Sequence, residues 1–341
     1  MCGHGRGHTS RALAVAGTLR QRGHRVSFAA DPAAGIDGAY PVPGLRQVIR
    51  GNRARLWETA RANIDLTWRS PEIIADAAGW LRDVGAEAVV ADHEPFVARA
   101  AARLAVPVVA LSHQLVLTET RPRVPLRYAP SYAGTAVGIG VLAPRRPAAA
   151  VVPSFFFPRL RRRSRAVLVP PILRDDVLAA RASDGGRLLV YVNEGEGMAP
   201  LLDAIGRVGV PADVYGLDPA LAAPPSVVLR EPSRDGFLSR LAAARAVVST
   251  AGFTLLSEAL HLGKPVLALP NRGFFEQAVN ALALADLGRG EAVFGRLRPE
   301  RLRAFLGRAD RYRRPAAADG RAGREQAADV IEAVLAGSRG G

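Results

Sequence analysis

The sequence is poor in cysteine and in long apolar runs. Cys2 is the only cysteine, which excludes a disulfide within the chain and a metal site built on several thiolates. No apolar run reaches the ~20 residues that a membrane-spanning helix needs. Residues 1–11 carry glycines and histidines where a secretory signal would carry an apolar core. These features predict a cytoplasmic protein.

Lysine is nearly absent as well, so the formal net charge of +15 comes almost wholly from arginine. A basic chain favours nucleic acid, anionic lipid or phosphorylated ligands. The sequence has no nucleic-acid motif and only 6% aromatic residues, so we expect no nucleic-acid partner. From Phe155 to Arg165, three phenylalanines directly precede a dense arginine cluster. This segment is the candidate for a peripheral contact with an anionic membrane, at its inner face.

The length of 341 residues suits two α/β domains of about 150 residues each. Short β-rich apolar runs alternate with longer alanine- and leucine-rich segments of helical period, which is typical of parallel sheets wound with crossover helices. The pattern occurs twice and predicts two Rossmann-like domains, 1–145 and 172–315. A proline- and arginine-rich connection is expected at 146–171, and a C-terminal helix with a flexible tail at 316–341.

The periodicity also predicts individual elements. The strands expected in the two halves are 25–30, 87–91 and 106–111, then 187–192, 212–216, 226–229, 246–249, 265–269 and 291–294. The helices expected are 9–22, 53–84 and 94–104, then 197–207, 234–244, 253–262 and 273–287.

A glycine-rich turn runs from Gly3 to His8 and leads into the first predicted helix. Glycines let the backbone turn tightly near a ligand, and a helix N-terminus offers free N–H groups, so Gly5 and Gly7 are donor-binding candidates. The glycines alternate and do not follow the dinucleotide spacing. A histidine where a strand turns into a helix at a cleft is a candidate base; His4 and His8 compete for this role, and we expect it to be His8.

The residues ahead of this turn are unusual for the predicted fold. Such a turn should follow a buried strand that is central in a doubly wound sheet, yet only Met1 and Cys2 precede it. We therefore expect the first strand to be missing, with several apolar residues upstream.

Asp92 directly follows the predicted strand 87–91. Ligands of open α/β sheets bind outside the carboxyl ends of the strands, so Asp92 and His8 are expected to face the same crevice. A carboxylate beside an imidazole raises its basicity and fixes its tautomer. The alternative is that Asp92 caps the helix that begins near Pro95.

A third motif extends from Ser249 to Glu258. Here a strand ends in a small-residue turn and a helix begins, so backbone N–H groups can hold a pyrophosphate while Glu258 accepts from ribose hydroxyls. Glu276 and Gln277, after the next strand, can bind sugar hydroxyls. The donor-binding candidates of the turn are Thr250, Ala251, Gly252, Phe253 and Thr254.

The order of these motifs resembles the donor-binding signature of GT-B glycosyltransferases, both the small-molecule UDP-sugar transferases and the family 28 enzymes that make the lipid-linked peptidoglycan precursor. The stretch Gly3 to Arg11 is similar to the Gly-His-Gly-x-Gly-His-x-x-Arg pattern of archaeal and bacterial family-28-like transferases. The resemblance covers nearly the whole chain. It implies an α/β GT-B fold with two Rossmann-like domains facing across a cleft, the acceptor bound by the first and the nucleotide-sugar by the second.

The resemblance also implies residue roles. His8 matches the base, Asp92 its partner and Glu258 the ribose-binding acid, while Glu276 and Gln277 match the sugar-binding pair. The chain departs from the plant-type signature in two places, with Thr250 for a phosphate-binding histidine and Phe253 for a tryptophan. Two further sets follow from the same likeness: Gly195 and Gly197 near the donor phosphates, and His113 and Gln114 at the acceptor.

The predicted reaction is an inverting glycosyl transfer. No Asp-x-Asp pair stands where a metal-bridging motif would, so we expect no metal, with leaving-group charge met by amides, a helix dipole and arginines. No cofactor is expected, because the nucleoside-diphosphate sugar is a co-substrate. A nucleotide-sugar hydrolase or epimerase on the same fold is the alternative. The donor base, the sugar and the acceptor, a small molecule or a lipid-linked one, stay open.

Overall fold

The computed structural model describes residues 6–46, 48–50, 53–54, 56–124, 129–192, 199–231, 234–314 and 320–339. The chain divides into two compact units, each containing its own parallel sheet. Unit 1 consists of Met1–Val48, Arg55–Arg174 and Gly320–Gly341, and unit 2 of Ile49–Ala54 and Asp175–Asp319.

The helices and strands follow in chain order. The α-helices are α1 Arg6–Gln21, α2 Leu56–Ala62, α3 Ile64–Asp83, α4 Pro95–Arg103, α5 Val116–Glu119, α6 Ala129–Leu142, α7 Asp175–Ala179, α8 Ala199–Val208, α9 Arg234–Ala243, α10 Phe253–His261, α11 Phe275–Asp286, α12 Pro299–Arg308 and α13 Ala322–Arg339. The strands are β1 Ala29–Ala30, β2 Tyr40–Pro41, β3 Ile49–Arg50, β4 Arg53–Ala54, β5 Val89–Ala91, β6 Val108–Leu111, β7 Ala149–Pro153, β8 Val167–Val169, β9 Leu188–Tyr191, β10 Ala212–Tyr215, β11 Val227–Arg230, β12 Ala246–Ser249, β13 Val266–Ala268 and β14 Gly290–Ala292.

Unit 1 is built on a four-stranded parallel sheet in the order β5-β6-β7-β8, beside a separate parallel pair formed by β1 and β2. The strand β6 is buried on both faces. Val89 and Val108 face a core shared with α3 and α4, whereas Val109 and Leu111 face a core shared with α1 and α13. The near-continuous apolar runs of the strands reflect this two-sided burial.

Unit 2 has a six-stranded parallel sheet in the order β11-β10-β9-β12-β13-β14. The first strand, β9, lies in the middle, and the chain builds outward first through β10 and β11 and then through β12 to β14. This is the doubly wound arrangement, in which the order reverses between β9 and β12. Ligands bind at the carboxyl ends of the strands beside such a reversal, so the carboxyl ends of β9 and β12 mark the position for a site.

The last helix, α13, belongs to unit 1, where it packs on α1, β7 and β8. Ala327, Ala328 and Ile331 bury its inner face. A Cβ on Gly323 would lie 2.2 Å from the carbonyl oxygen of Pro170, so only glycine permits this close approach. Residues at both ends of the sequence therefore contribute to one core.

Two of the differences between the structure and the sequence predictions concern whole segments. The stretch 53–84 is not one helix, because Asn63 separates α2 from α3 by bonding backbone carbonyls of Thr59 and Arg46 through Nδ2. The expected connection 146–171 contains β7 and β8, which extend the sheet of unit 1. Its prolines fall largely outside these strands, and Pro153 stands at the end of β7.

Candidate active site

His8 and Asp92 meet at the carboxyl end of β5. His8 lies in the first turn of α1, which begins at Arg6 and thus earlier than the predicted Thr9. Its Nδ1 is 2.9 Å from Oδ1 of Asp92. A carboxylate can only accept, so Nδ1 carries the proton and donates it, which leaves the Nε2 lone pair to take a proton. Since His8 retains 18% side-chain exposure while Asp92 is buried, the imidazole can reach a substrate.

Arg11 is a third member of this group. Its guanidinium donates to Asp92 from Nε at 3.1 Å and from one terminal nitrogen at 2.7 and 3.0 Å. Burial acts to raise the pKa of Asp92, but the charges and hydrogen bonds of Arg11 and His8 outweigh it and hold that pKa well below its ordinary value. Asp92 therefore stays ionised. Because Arg11 neutralises it, Asp92 chiefly orients His8 instead of adding negative charge to the site.

The role of Arg11 was not assigned from the sequence, although it lies within the Gly3 to Arg11 pattern. The spacing of three residues between His8 and Arg11 is the sequence feature that could have indicated this role. Residues three apart on a helix lie on the same face, so an arginine at this spacing reaches the same carboxylate as the histidine.

Glu94, and not Asp92, caps α4. The Glu94 carboxylate accepts from the backbone N–H groups of Phe96 and Val97, both at 2.8 Å. The cap alternative for Asp92 is thereby excluded. Between the two acids, His93 has a left-handed φ of 55° and its ring stacks 6.4 Å from that of His8. Burial and the nearby charge of His8 lower the pKa of His93 to about 4, so this ring is neutral at pH 7.

In unit 2, the turn after β12 has the features of an anion site. Oγ of Ser249 accepts from the N–H of Ala251, and Ala251 has a left-handed φ of 64°. Nδ2 of Asn280 donates to the carbonyl of Ala251 at 3.2 Å and fixes the turn. The helix α10 then starts at Phe253, and its N-cap residue Gly252 makes no side-chain capping hydrogen bond, so the positive end of a helix dipole lies directly after the turn.

Thr250 lies inside this turn and is 3% exposed. Within the described part of the chain, its Oγ1 is buried and has no hydrogen-bond partner. An unsatisfied buried hydroxyl costs about 1–3 kcal/mol, and such atoms are rare in folded proteins. A ligand oxygen at the turn would remove this cost.

The remaining donor candidates of unit 2 differ in accessibility. Gly252 and Thr254 are half-buried at the start of α10, whereas Phe253 and Glu258 are buried. Glu276 is half-buried in the first turn of α11. Gln277 is buried and its Oε1 accepts from the N–H of Asn271 at 2.9 Å, which ties the loop ahead of α11 to the helix.

The structure also locates the acceptor candidates. His113 is buried, and its Nδ1 contacts the carbonyl oxygen of Pro153 at 2.7 Å. Its ring is therefore held in place by a contact within the protein. Gln114 is half-buried and more accessible. Gly7 is in the first turn of α1, whereas Gly5, Gly195 and Gly197 lie outside the described residues.

The segment Phe155 to Arg165 presents apolar and basic side chains to solvent. Phe156 packs on the ring of His113, whereas Phe157 is 59% and Leu160 40% exposed. Its exposed arginines are Arg159, Arg161, Arg162, Arg163 and Arg165.

The described residues lack two features. No helix among them is both long and apolar enough to cross a membrane. They also contain no group of three or more His, Cys, Asp or Glu side chains that could hold a metal ion.

The two Rossmann-like units define a protein of the GT-B fold, and solved structures share this fold. An Os79 variant from O. sativa in complex with UDP matches with a TM-score of 0.72 and 17% identity over 98% of both chains. The glycotransferase of kitacinnamycin matches with a TM-score of 0.67 and 19% identity over 97% of both chains.

The family follows from the sequence comparison. A model described as glycosyl transferase family 1 matches residues 1–309, so the chain belongs to that family. A relative from Brucella anthropi, UDP-N-acetylglucosamine–N-acetylmuramyl-(pentapeptide) pyrophosphoryl-undecaprenol N-acetylglucosamine transferase, is 32% identical over 166 residues. The match spans 45% of this chain and 40% of that relative's length.

Proposed function

We propose that the protein transfers a sugar from a nucleoside-diphosphate sugar to an acceptor hydroxyl with inversion. The observation that carries this proposal is the hydrogen bond from His8 to Asp92. Nε2 of His8 takes the hydroxyl proton while the oxygen bonds to the anomeric carbon. The bond from that carbon to the diphosphate oxygen breaks, and the nucleoside diphosphate leaves.

The donor is assigned to the turn at Ser249–Gly252 and the start of α10. This position beside the strand reversal, the positive end of the α10 dipole and the unsatisfied hydroxyl of Thr250 all favour a pyrophosphate there. Glu258 is assigned to the ribose and Glu276 to the sugar hydroxyls. Gly5, Gly7, Gly195 and Gly197 remain proposals for the donor phosphates.

The decisive experiment measures melting temperature with a panel of nucleoside diphosphates and then follows donor consumption with and without acceptors. A ligand at a hundred times its Kd adds about 2.7 kcal/mol of stability. The nucleoside diphosphate with the preferred nucleobase should therefore raise the melting temperature most. Transfer only in the presence of an acceptor supports the proposal. Free sugar or an epimer formed at stoichiometric yield from the donor alone would assign the chain to the hydrolases or epimerases.

Thr250→Val is expected to separate donor binding from stability. The valine has a similar shape and removes an unsatisfied hydroxyl, so the free energy of unfolding without ligand should stay equal or rise. The affinity for the preferred nucleoside diphosphate should fall by about 1 kcal/mol, or roughly fivefold. Thr250→Ser is the matched control, and its affinity for the nucleoside diphosphate should equal that of the wild type. Calorimetry measures both affinities. If the valine variant also bound as tightly as the wild type, Thr250 would not belong to the donor site.

Glu276→Ala and Gln277→Ala should affect different properties although the residues are adjacent: the first donor binding, the second stability. Glu276 forms no hydrogen bond recorded in the described part of the chain, so its loss should raise the KM for the sugar nucleotide and leave the melting temperature nearly unchanged. Gln277→Ala leaves the buried N–H of Asn271 unsatisfied and should cost about 1–3 kcal/mol of stability. Thermal melts and donor-dependent kinetics of both variants check this, and equal behaviour would refute the division of roles.

The acceptor is proposed to be a small molecule or a lipid-linked molecule whose hydroxyl lies near Gln114, with the buried His113 forming part of the wall of the acceptor site. The name of the Brucella relative, which includes a pyrophosphoryl-undecaprenol-linked acceptor, supports a lipid-linked acceptor. The family-28 likeness and a cytoplasmic location at the inner membrane face belong to the same proposal. The exposed Phe157 and Leu160 beside five arginines fit an anionic surface. Sedimentation with vesicles should show binding to anionic and not to neutral lipid, and Phe157→Ser should weaken it; equal binding to both lipids would contradict the contact.

A further inference from the structure

One face of the sheet in unit 2 carries an open groove. The connection from β10 to β11, residues 216–226, contains no helix, whereas a helix lies between every other pair of consecutive strands from β9 to β14. Val214 and Val227 face a core shared with α8 and α12, but Val228, on the opposite face, is 36% exposed. A groove of about 560 Å³ lies over this opposite face, and ligand sites typically measure about 300–1,000 Å³.

The groove extends toward the amino ends of the strands. It is lined by Gly185 and Arg187, which precede β9, and by Ala243, the last residue of α9. The turn assigned to the donor follows the carboxyl end of β12, which runs parallel to β9. None of the described residues that line the groove belongs to that turn or to the other donor candidates. The groove is therefore separate from the proposed donor site.

Three arginines meet at Asp213 inside the groove. Nε of Arg187 donates to Oδ2 of Asp213 and Nε of Arg230 donates to Oδ1, both at 2.8 Å. Nε of Arg240 lies 3.7 Å from the same Oδ1. The carboxylate is 6% exposed, whereas the three arginine side chains are 35–38% exposed. Burial acts to raise the pKa of Asp213, but the hydrogen bonds and charges of Arg187 and Arg230 outweigh it and lower that pKa, so Asp213 is ionised at pH 7.

This cluster carries more positive than negative charge. Asp213 is the only acid among the described residues that line the groove, so three guanidiniums and one carboxylate leave two positive charges uncompensated. Arg230 bonds Asp213 through Nε, and no hydrogen bond of its two terminal nitrogens is recorded in the described part of the chain. Like charges this close repel one another. An anion in the groove would remove this repulsion and accept from the remaining N–H groups.

We propose that this groove binds the phosphoryl group of a phosphorylated small molecule, at a second site that is separate from that of the nucleotide-sugar. A phosphate monoester carries a charge of nearly −2 at neutral pH, which matches the excess charge of the cluster, whereas a single carboxylate would balance only half of it. The planar fork of a guanidinium also fits phosphate oxygens in pairs. The volume of the groove leaves room for the rest of the molecule.

The experiment measures the binding of inorganic phosphate to the full chain by calorimetry, with the ionic strength held constant by KCl. Arg230→Gln should weaken binding at least about tenfold, because it removes charge-assisted hydrogen bonds. Arg240→Gln should weaken it similarly. Since Nε of Arg240 is too far from Asp213 for a hydrogen bond, this second variant leaves both hydrogen-bonded pairs of Asp213 intact. Absence of phosphate binding to the wild type, or equal affinity in the wild type and both variants, would overturn the proposal.

Two control variants make the test specific to the groove. Arg207→Gln removes the same charge from α8 of the same unit, where Arg207 is 70% exposed and pairs with Asp203, and should leave the phosphate affinity unchanged. Thr250→Val alters the donor turn and should also leave it unchanged. If Arg207→Gln weakened binding as much as Arg230→Gln, the effect would come from net charge alone and the proposal would be wrong. Loss of binding in Thr250→Val and not in Arg230→Gln would place the phosphate at the donor turn, which also contradicts the proposal.

Discussion

His8→Ala is expected to lower turnover at least about a hundredfold while donor affinity is largely preserved. The imidazole is the only described group at this site with a free lone pair held in place by a carboxylate, and positioned general bases contribute roughly a hundred- to ten-thousand-fold. The measurement is kcat at saturating donor and acceptor, with Kd for the nucleoside diphosphate determined separately. Near-normal turnover with the true acceptor would refute the mechanism even though the fold would stand.

His93→Ala is the matched control for His8. It removes an imidazole that stacks on His8 but forms no recorded bond to Asp92, and we expect less than a tenfold loss of turnover. Asp92→Asn should resemble His8→Ala, and the double variant should lose no more than either single one because the pair acts as a unit. Fully additive losses would show that Asp92 and His8 act independently.

Arg11→Met is expected to destabilise the protein by about 3–5 kcal/mol, the largest effect on folding that we predict. The methionine fills most of the volume but leaves the buried carboxylate of Asp92 with only His8 as a polar partner, and an uncompensated buried charge has a cost of this size. Urea denaturation at pH 7 measures it. Arg22→Met is the control, because Arg22 has three carboxylate partners at the surface, Glu325, Asp329 and Glu332, with 34–63% side-chain exposure, and surface pairs contribute about 0–1 kcal/mol each. If Arg22→Met were the more damaging of the two, burial would not be the deciding factor.

The pH dependence of the Arg11 effect follows from the lowered pKa of Asp92. A carboxyl whose folded pKa is depressed contributes stability above its unfolded pKa, about 3.9, and loses that contribution as the pH falls through the folded value. Without Arg11 the folded pKa rises, so the variant has little of this contribution to lose. The difference in unfolding free energy between wild type and Arg11→Met should therefore shrink as the pH is lowered below about 4. A difference that stayed constant down to pH 2 would contradict the ion pair as its source.

Periodicity predicted the sheet of unit 2 well, because five of its six strands are short, mainly apolar runs, and only β14, Gly290–Ala292, is not. The predicted 212–216 and 246–249 correspond to β10 and β12 within a residue. The pairing of His8 with Asp92 was also predictable, since parallel strands and the helices that follow them bring these positions to one edge.

Other features depend on interactions that periodicity does not contain. The break at Asn63 comes from a side chain that bonds the backbone of Arg46, seventeen positions away. The cap on α4 is Glu94 because this residue directly precedes Pro95, the first residue of the helix, and its carboxylate accepts from the next two backbone N–H groups. The hydrogen bond from the N–H of Asn271 to Oε1 of Gln277 is not encoded in the periodicity, so the sequence could not show that Gln277 contacts this loop.

The placement of α13 in unit 1 has a consequence for synthesis on the ribosome. Domains are usually completed in the order in which they leave the exit tunnel. Here Asp175–Asp319 leaves the ribosome before Ala322–Arg339, which closes the apolar face of α1. The core of unit 1 is therefore incomplete until Ala322–Arg339 has emerged. Nascent chains in which Ala322–Arg339 is still inside the ribosome should expose apolar surface in unit 1 and recruit chaperones there.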